Sequence, residues 1–134
     1  MAKMMGFLNS QTYALMRMVT GFLFLWHGTQ KLFGFPLPAP PAPPFIIYIA
    51  GSIELVGGAL VMLGLFTRPA AFLCSGLMAL AYWMAHGNKM FGQGASAFLP
   101  IQNGGELAAL YCFVFLFIAT QGSGASSLDS ARGK

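Results

Sequence analysis

Four long apolar runs, residues 12–33, 45–66, 69–86 and 104–121, constrain this chain more than any other feature. Each is close to the roughly 20 residues that a helix needs to cross about 30 Å of hydrocarbon. Membrane barrels are built from short segments of alternating polarity, whereas these runs are apolar on most faces, so strands are not expected. Charged residues make up 7% of the chain, against roughly a quarter in soluble domains, which is too few to cover a soluble surface. The expectation is therefore one all-α domain over residues 1–134, an integral membrane four-helix bundle surrounded by lipid. Arg17 lies inside the first run and no small-residue cleavage pattern follows His27, so that run reads as a retained span and not as a cleaved signal.

The net charge of +4 would point to nucleic acid in a soluble protein. Here the basic residues are sparse and sit near span ends, so no nucleic-acid partner is expected. Four crossings put Lys3, Arg68, Arg132 and Lys134 on one side and Lys31 and Lys89 on the other, and the positive-inside rule then places both termini in the cytoplasm. Cys74 and Cys112 are solitary, fall in different spans and form neither a redox pair nor a zinc pattern. They read as small buried apolar residues.

Residues 1–11 read as an interfacial segment. Repeated proline over residues 34–44 forbids a regular helix and favours extended chain, expected to pack over the mouth of the bundle. Around Thr67-Arg68-Pro69 a tight turn makes an antiparallel hairpin, with Thr67 as helix cap and Pro69 in the first turn. Residues 87–103 read as a long polar, glycine-rich connection, and the tail after Gln121 as small, polar and mobile. One internal echo stands out. His27-Gly-Thr-Gln-Lys31-Leu-Phe-Gly34 is matched, one residue shorter, by His86-Gly-Asn-Lys89-Met-Phe-Gly92, and Glu54 of the second run by Glu106 of the fourth. A true duplication would make two parallel two-helix repeats about an axis along the membrane normal; coincidence is the alternative.

Arg17, Thr20, His27 and Lys31 fall within about 80° of one another on a helix, so the first span carries a polar stripe that must face inward. Ser75, Ala79, Tyr82 and His86 repeat that spacing in the third span, while Gly51 and Gly58 flank Glu54 and allow a neighbouring helix to approach. The expected result is a polar interior. Glu54 is about nine residues into its span, roughly 13 Å deep, which makes it the most buried carboxylate. An unpaired charge at that depth costs several kcal/mol, so Arg17 is expected to pair with Glu54, directly or through water. Arg17, Lys31, Glu54 and Glu106 sum to zero, as an internally compensated network requires.

Plainer roles compete at each position. Lys31 and His27 complement a helix C-terminus, and Lys31 can snorkel. Asn103 and Glu106 have capping-box spacing. Trp26, Trp83, Tyr48 and Tyr82 suit interfacial anchoring, and Arg17 with Glu54 suits a structural clasp. Histidines so placed can bind metal, ligate haem or carry protons. Metal is the weakest of the three, because neither His has a ligand partner one turn away, and no metal site is expected. Proton exchange with a bound redox molecule needs only an apolar cavity, a His, a Glu and aromatic walls.

The ordered set Arg17-Met-Val-Thr-Gly21, Trp26-His-Gly-Thr-Gln-Lys-Leu-Phe-Gly34, Ile53-Glu-Leu-Val-Gly-Gly58, Gly64-Leu-Phe-Thr-Arg-Pro69, His86, Asn103-Gly-Gly-Glu-Leu107 and Ser127-Leu-Asp129 resembles the DoxX family of small bacterial membrane proteins over nearly the whole chain. The resemblance implies a four-helix fold in the bacterial cytoplasmic (inner) membrane and an association with oxidoreductases, some relatives being similar to subunits of quinone-linked sulfur enzymes. It names no catalytic residues. Nothing in the chain resembles a flavin or nicotinamide fingerprint, so no intrinsic cofactor is expected and a quinone is the best guess for a bound one.

Three functions follow as expectations. The first is a membrane subunit of a redox system that binds a small polar head group at a polar cluster in the outer half of the bundle, with His27, Glu54 and His86 as catalytic candidates and Lys31, Glu106, Arg17 and Tyr82 as binding candidates. The second is a structural subunit that assembles a larger complex, alone or as an oligomer. The third is a small-solute carrier, encouraged by the repeat. Partners under the first two are other membrane or redox subunits.

Overall fold

A computed structural model describes residues 1–133, which contain helices and connections but no strand. Helix α1 (Ala2–Phe33) is followed by α2 (Pro44–Leu63). Helix α3 (Thr67–Ala81) continues through a π-helical turn (Tyr82–His86) and a 3-10 turn (Gly87–Lys89) into α4 (Met90–Gln93). A further 3-10 turn (Ala95–Phe98) and α5 (Pro100–Asn103) lead to α6 (Glu106–Gln121), and α7 (Leu128–Ala131) lies in the tail. Two helical stretches, Pro44–Leu63 and Thr67–Gln93, are long and apolar enough to cross a membrane; Glu106–Gln121 is apolar but shorter.

Helix α1 packs along α2 and α3 packs along α6, while α2 meets α3 across the hairpin. The α1/α2 seam is backbone against backbone. A methyl group added to Gly21 would lie 2.5 Å from the Gly58 carbonyl oxygen, and one added to Gly28 would lie 2.7 Å from the Gly51 carbonyl oxygen. Two glycines spaced two turns apart on each helix thus face one another, the close approach that small residues permit where no hydrophobic force drives helices together.

Phe24, Val61, Ala71, Cys74, Phe115 and Ile118 form the centre, each at most 1% exposed. The expected polar interior is therefore corrected: the middle is mostly aliphatic and aromatic, with Thr20, Glu54 and Ser75 buried along it, while Arg17, Thr67 and Asn103 are buried toward its ends. Outside, Phe22, Val56, Phe72, Leu80, Leu110 and Phe113 are exposed, so each of the four long helices turns apolar side chains outward. Soluble monomers do not expose apolar surface on this scale.

Several connections differ from expectation. Residues 2–11 belong to α1 and form no separate segment. The proline stretch is mostly exposed, held at the end of α1 by the Thr29 hydroxyl donating to the Phe35 carbonyl at 2.8 Å and by the Gln30 amide donating to the Pro38 carbonyl at 3.0 Å. Residues 87–103 wind through short helical turns organised by Asn103, whose amide donates to the carbonyls of Ala97 and Phe98 and whose oxygen accepts from the Gly105 N–H. That use of Asn103 replaces the expected capping box: Gly105 precedes α6 with no side-chain cap, and Glu106 is exposed.

Candidate functional site

The face of α1 that carries Arg17, Thr20, Phe24, His27 and Lys31 turns inward, and its polar groups divide between two ends of the molecule. At one end the Lys31 ammonium donates to both Glu54 oxygens, at 3.0 and 2.8 Å. The Glu54 side chain is 4% exposed and that of Lys31 17%. Helix α1 can deliver Lys31 to Glu54 because Gly51 leaves room for the Lys31 stem on the preceding turn of α2.

His27, one turn before Lys31, is half-buried and makes no hydrogen bond among the described residues. Its ring lies against Phe24 and Tyr111, 6.4 and 6.1 Å between centroids, the latter nearly perpendicular at 83°. Tyr111 is 8% exposed, stands within electrostatic reach of Glu54, and its hydroxyl likewise has no partner among the described residues. Tyr111 is a residue that reading the sequence missed, since it lies alone among apolar side chains in the fourth run. Its signal was faint: a phenol at the same level as Glu54.

His86 does not join this group. It ends the π-helical turn, and its Nδ1 lies 3.1 Å from the Asn103 carbonyl oxygen, which also accepts from Lys89 at 3.4 Å. Tyr82, at the start of the same turn, donates its hydroxyl to the Phe98 carbonyl and accepts from the Asn103 amide. Turns of π-helix occur often where function requires a side chain to be re-aimed. Lys89 does not pair with Glu106, so the two His-Lys-Glu sets, alike in sequence, are unlike in space.

Arg17 sits at the opposite end and does not pair with Glu54. It is 0% exposed, and its guanidinium donates to the Val61 and Met62 carbonyls at the end of α2 and to the Ala125 and Ser126 carbonyls of the tail. The geometry explains the mismatch with expectation: α1 and α2 are antiparallel, so Arg17 meets the C-terminal end of α2, where free carbonyls carry negative partial charge. The four charges form no single network.

The tail, expected to be mobile, is docked at this end. Asp129 accepts from the Phe66 and Thr67 N–H groups, both at 3.0 Å, and so caps α3 in place of the Thr67 hydroxyl, which makes no cap. The Asp129 N–H donates back to the Gly64 carbonyl at 2.8 Å, and a side chain at Gly64, where φ is +71°, would strike Ser127. Arg68 donates to the Ala119, Thr120 and Gln121 carbonyls at the end of α6, and the Tyr13 hydroxyl to the Gly122 carbonyl at 2.6 Å. Burial pushes the Asp129 carboxyl up, but the Thr67 and Phe66 N–H groups together with Arg132 outweigh it and hold the carboxyl below its ordinary value of 3.8.

No group of three or more His, Cys, Asp or Glu side chains among the described residues is arranged to hold a metal. The profile of the DoxX family matches residues 12–87. A Haemophilus influenzae protein described as uncharacterized is 43% identical over 122 residues, covering 87% of each chain. Another uncharacterized protein of that organism is 27% identical over 139 residues, covering 96% of this chain and 87% of its own. A Bacillus subtilis protein named "Putative oxidoreductase CatD" is 39% identical over 64 residues, covering 44% of this chain and 48% of its own. No solved structure matches the chain significantly.

Proposed function

We propose, from the premise that this chain belongs to the DoxX family, that it is the membrane subunit of a redox system and holds a quinone head group beside His27 and the Lys31–Glu54 pair. Its membrane character, and hence its contact with lipid, follows from the family and from its apolar helices. Beyond that, the outward apolar faces of α1, α2, α3 and α6 support four crossings as one bundle, and the Lys and Arg distribution favours both termini cytoplasmic, with the inner membrane as its setting. The packing of α1 with α2 and of α3 with α6 supports a two-plus-two origin.

One observation carries the functional reading: His27 and the Tyr111 hydroxyl, two groups able to exchange protons or donate hydrogen bonds, stand without protein partners beside a buried ion pair. Two quinone oxygens suit these donors, and the Phe24 and Tyr111 rings suit a planar ring. A quinone supplies two-electron chemistry when bound. His27 would hold or pass a proton, Glu54 would keep Lys31 in place, and Lys31 would stabilise negative charge on an oxygen. His86 and Tyr82, bonded to the outer connection, would shape the outer side of the site, and Glu106 is exposed nearby in the chain at the start of α6. Electrons would come from a partner subunit, consistent with the oxidoreductase name of the Bacillus relative.

Gentle purification followed by extraction and assay of bound quinone and haem tests this. Quinone is expected, with less of it retained by His27→Ala and Glu54→Gln. Absence of quinone from the native protein, with stoichiometric partner subunits still attached, would instead establish a structural subunit. That second reading is favoured by Arg17, whose burial is devoted to helix ends and the tail.

A further inference from the structure

The four neighbouring helix pairs are closed in different ways. Helices α1 and α2 meet backbone to backbone at their glycines, α2 and α3 share a hairpin turn, and α3 is tied to α6 by the Ser75 hydroxyl donating to the Cys112 carbonyl at 2.7 Å. Helices α1 and α6 approach each other least, and rings of the buried core, Phe24, Tyr111 and Phe115, fill the space between them. Phe24 lies 5.0 Å from Tyr111 and 4.7 Å from Phe115, and Tyr111 lies 6.1 Å from His27. Just before the ring positions, Leu23 of α1 and Leu110 of α6 are exposed.

A seam closed by side chains opens through rotamer changes, whereas a seam closed by backbone contact requires whole helices to move. Glu54, by contrast, is held by Lys31, and its side chain is 4% exposed. We infer that the α1/α6 seam is the doorway through which a planar ring molecule dissolved in the bilayer reaches His27, with the Tyr111 hydroxyl as the second hydrogen-bond donor at the site. This inference rests on the quinone reading and adds a route and a residue to it. The ligand would displace ring-on-ring contacts among Phe24, Tyr111 and Phe115 and replace them with its own ring, while its two oxygens meet His27 and Tyr111.

The test uses the whole protein in lipid nanodiscs with decylubiquinone as the titrated probe and an azido-quinone as the photolabel. Expected are adducts concentrated on residues near Phe24, Tyr111 and Phe115, competed away by decylubiquinone, and about tenfold weaker binding by Tyr111→Phe, roughly the loss of one good hydrogen bond. Thermal unfolding of Tyr111→Phe, which keeps the ring, reports separately on folding. Saturable binding with adducts on α2 or α3 faces, or with Tyr111→Phe as tight as the native protein, overturns the doorway and leaves the quinone reading standing. Labelling spread over every lipid-facing helix without competition shows partition into lipid alone and overturns both.

Discussion

Lys31 and Glu54 illustrate how much one side chain's position changes its meaning. As a residue near a helix end, Lys31 had a sufficient role in complementing the dipole or reaching for the interface; the structure uses it to neutralise the deepest carboxylate. Breaking such a pair from one side leaves a buried charge without compensation, at a cost of about 3–5 kcal/mol, whereas replacing both partners is far milder. Glu54→Gln and Lys31→Met are each expected to lower the unfolding midpoint in detergent more than the double variant does. Additive losses in that cycle would show that the two groups do not interact. Asp129 makes a second prediction. Because its carboxyl titrates below the ordinary value when folded, its contribution is complete above about pH 4 and is lost as pH falls through the folded value. Asp129→Asn should therefore reduce stability at neutral pH and flatten that acid limb, measured by unfolding as a function of pH. The sequence made the inward stripe of α1 legible because helical periodicity is local. It hid the partners of each charge, which depend on which end of α2 faces which end of α1. Tyr111 stayed hidden because one hydroxyl does not break an apolar pattern.

At the level of the elements, glycine spacing was the most informative signal. Gly51 and Gly58 marked a close approach, and the structure supplies Gly21 and Gly28 as the facing pair. Gly21→Ala must push α2 away, since its methyl would meet backbone atoms that have no freedom to rotate aside. A loss of about 1–3 kcal/mol is expected, read as a lower unfolding midpoint. Gly76, whose added methyl meets nothing, is the matched control and should lose far less on substitution by alanine. Helix existence was legible from the apolar runs; most limits shifted by a few residues, but α1 begins ten residues before its run. The π-helical turn and the helical pieces of residues 87–103 were not legible. They depend on Tyr82, His86 and Asn103 meeting across a connection, contacts that no local pattern announces.

Taken as a whole, the molecule has one end organised around an ion pair and rings, and another organised around backbone carbonyls. Arginines finish two helices at that second end, Arg17 at α2 and Arg68 at α6, and Asp129 begins a third. A chain stopped after Gly122 would deprive the Arg17 guanidinium of two of its four carbonyl partners, each worth about 1.5–3 kcal/mol for a charged donor. Such a chain is expected to unfold at lower temperature and to be cut more readily near Gly64 by added protease. An unchanged midpoint and cutting pattern would mean that the docked tail contributes nothing. The motifs that carried the family resemblance at Arg17, Gly64 to Pro69 and Ser127 to Asp129 converge on this end, though the mostly small, polar tail read from sequence as mobile. Their meeting sets an order on synthesis. Arg17 and Ser126 are 109 residues apart, so the first helix must wait, with its arginine only partly satisfied, until almost the whole chain has been translated. Any interruption before Ser126 emerges leaves that cation short of its last two carbonyl partners.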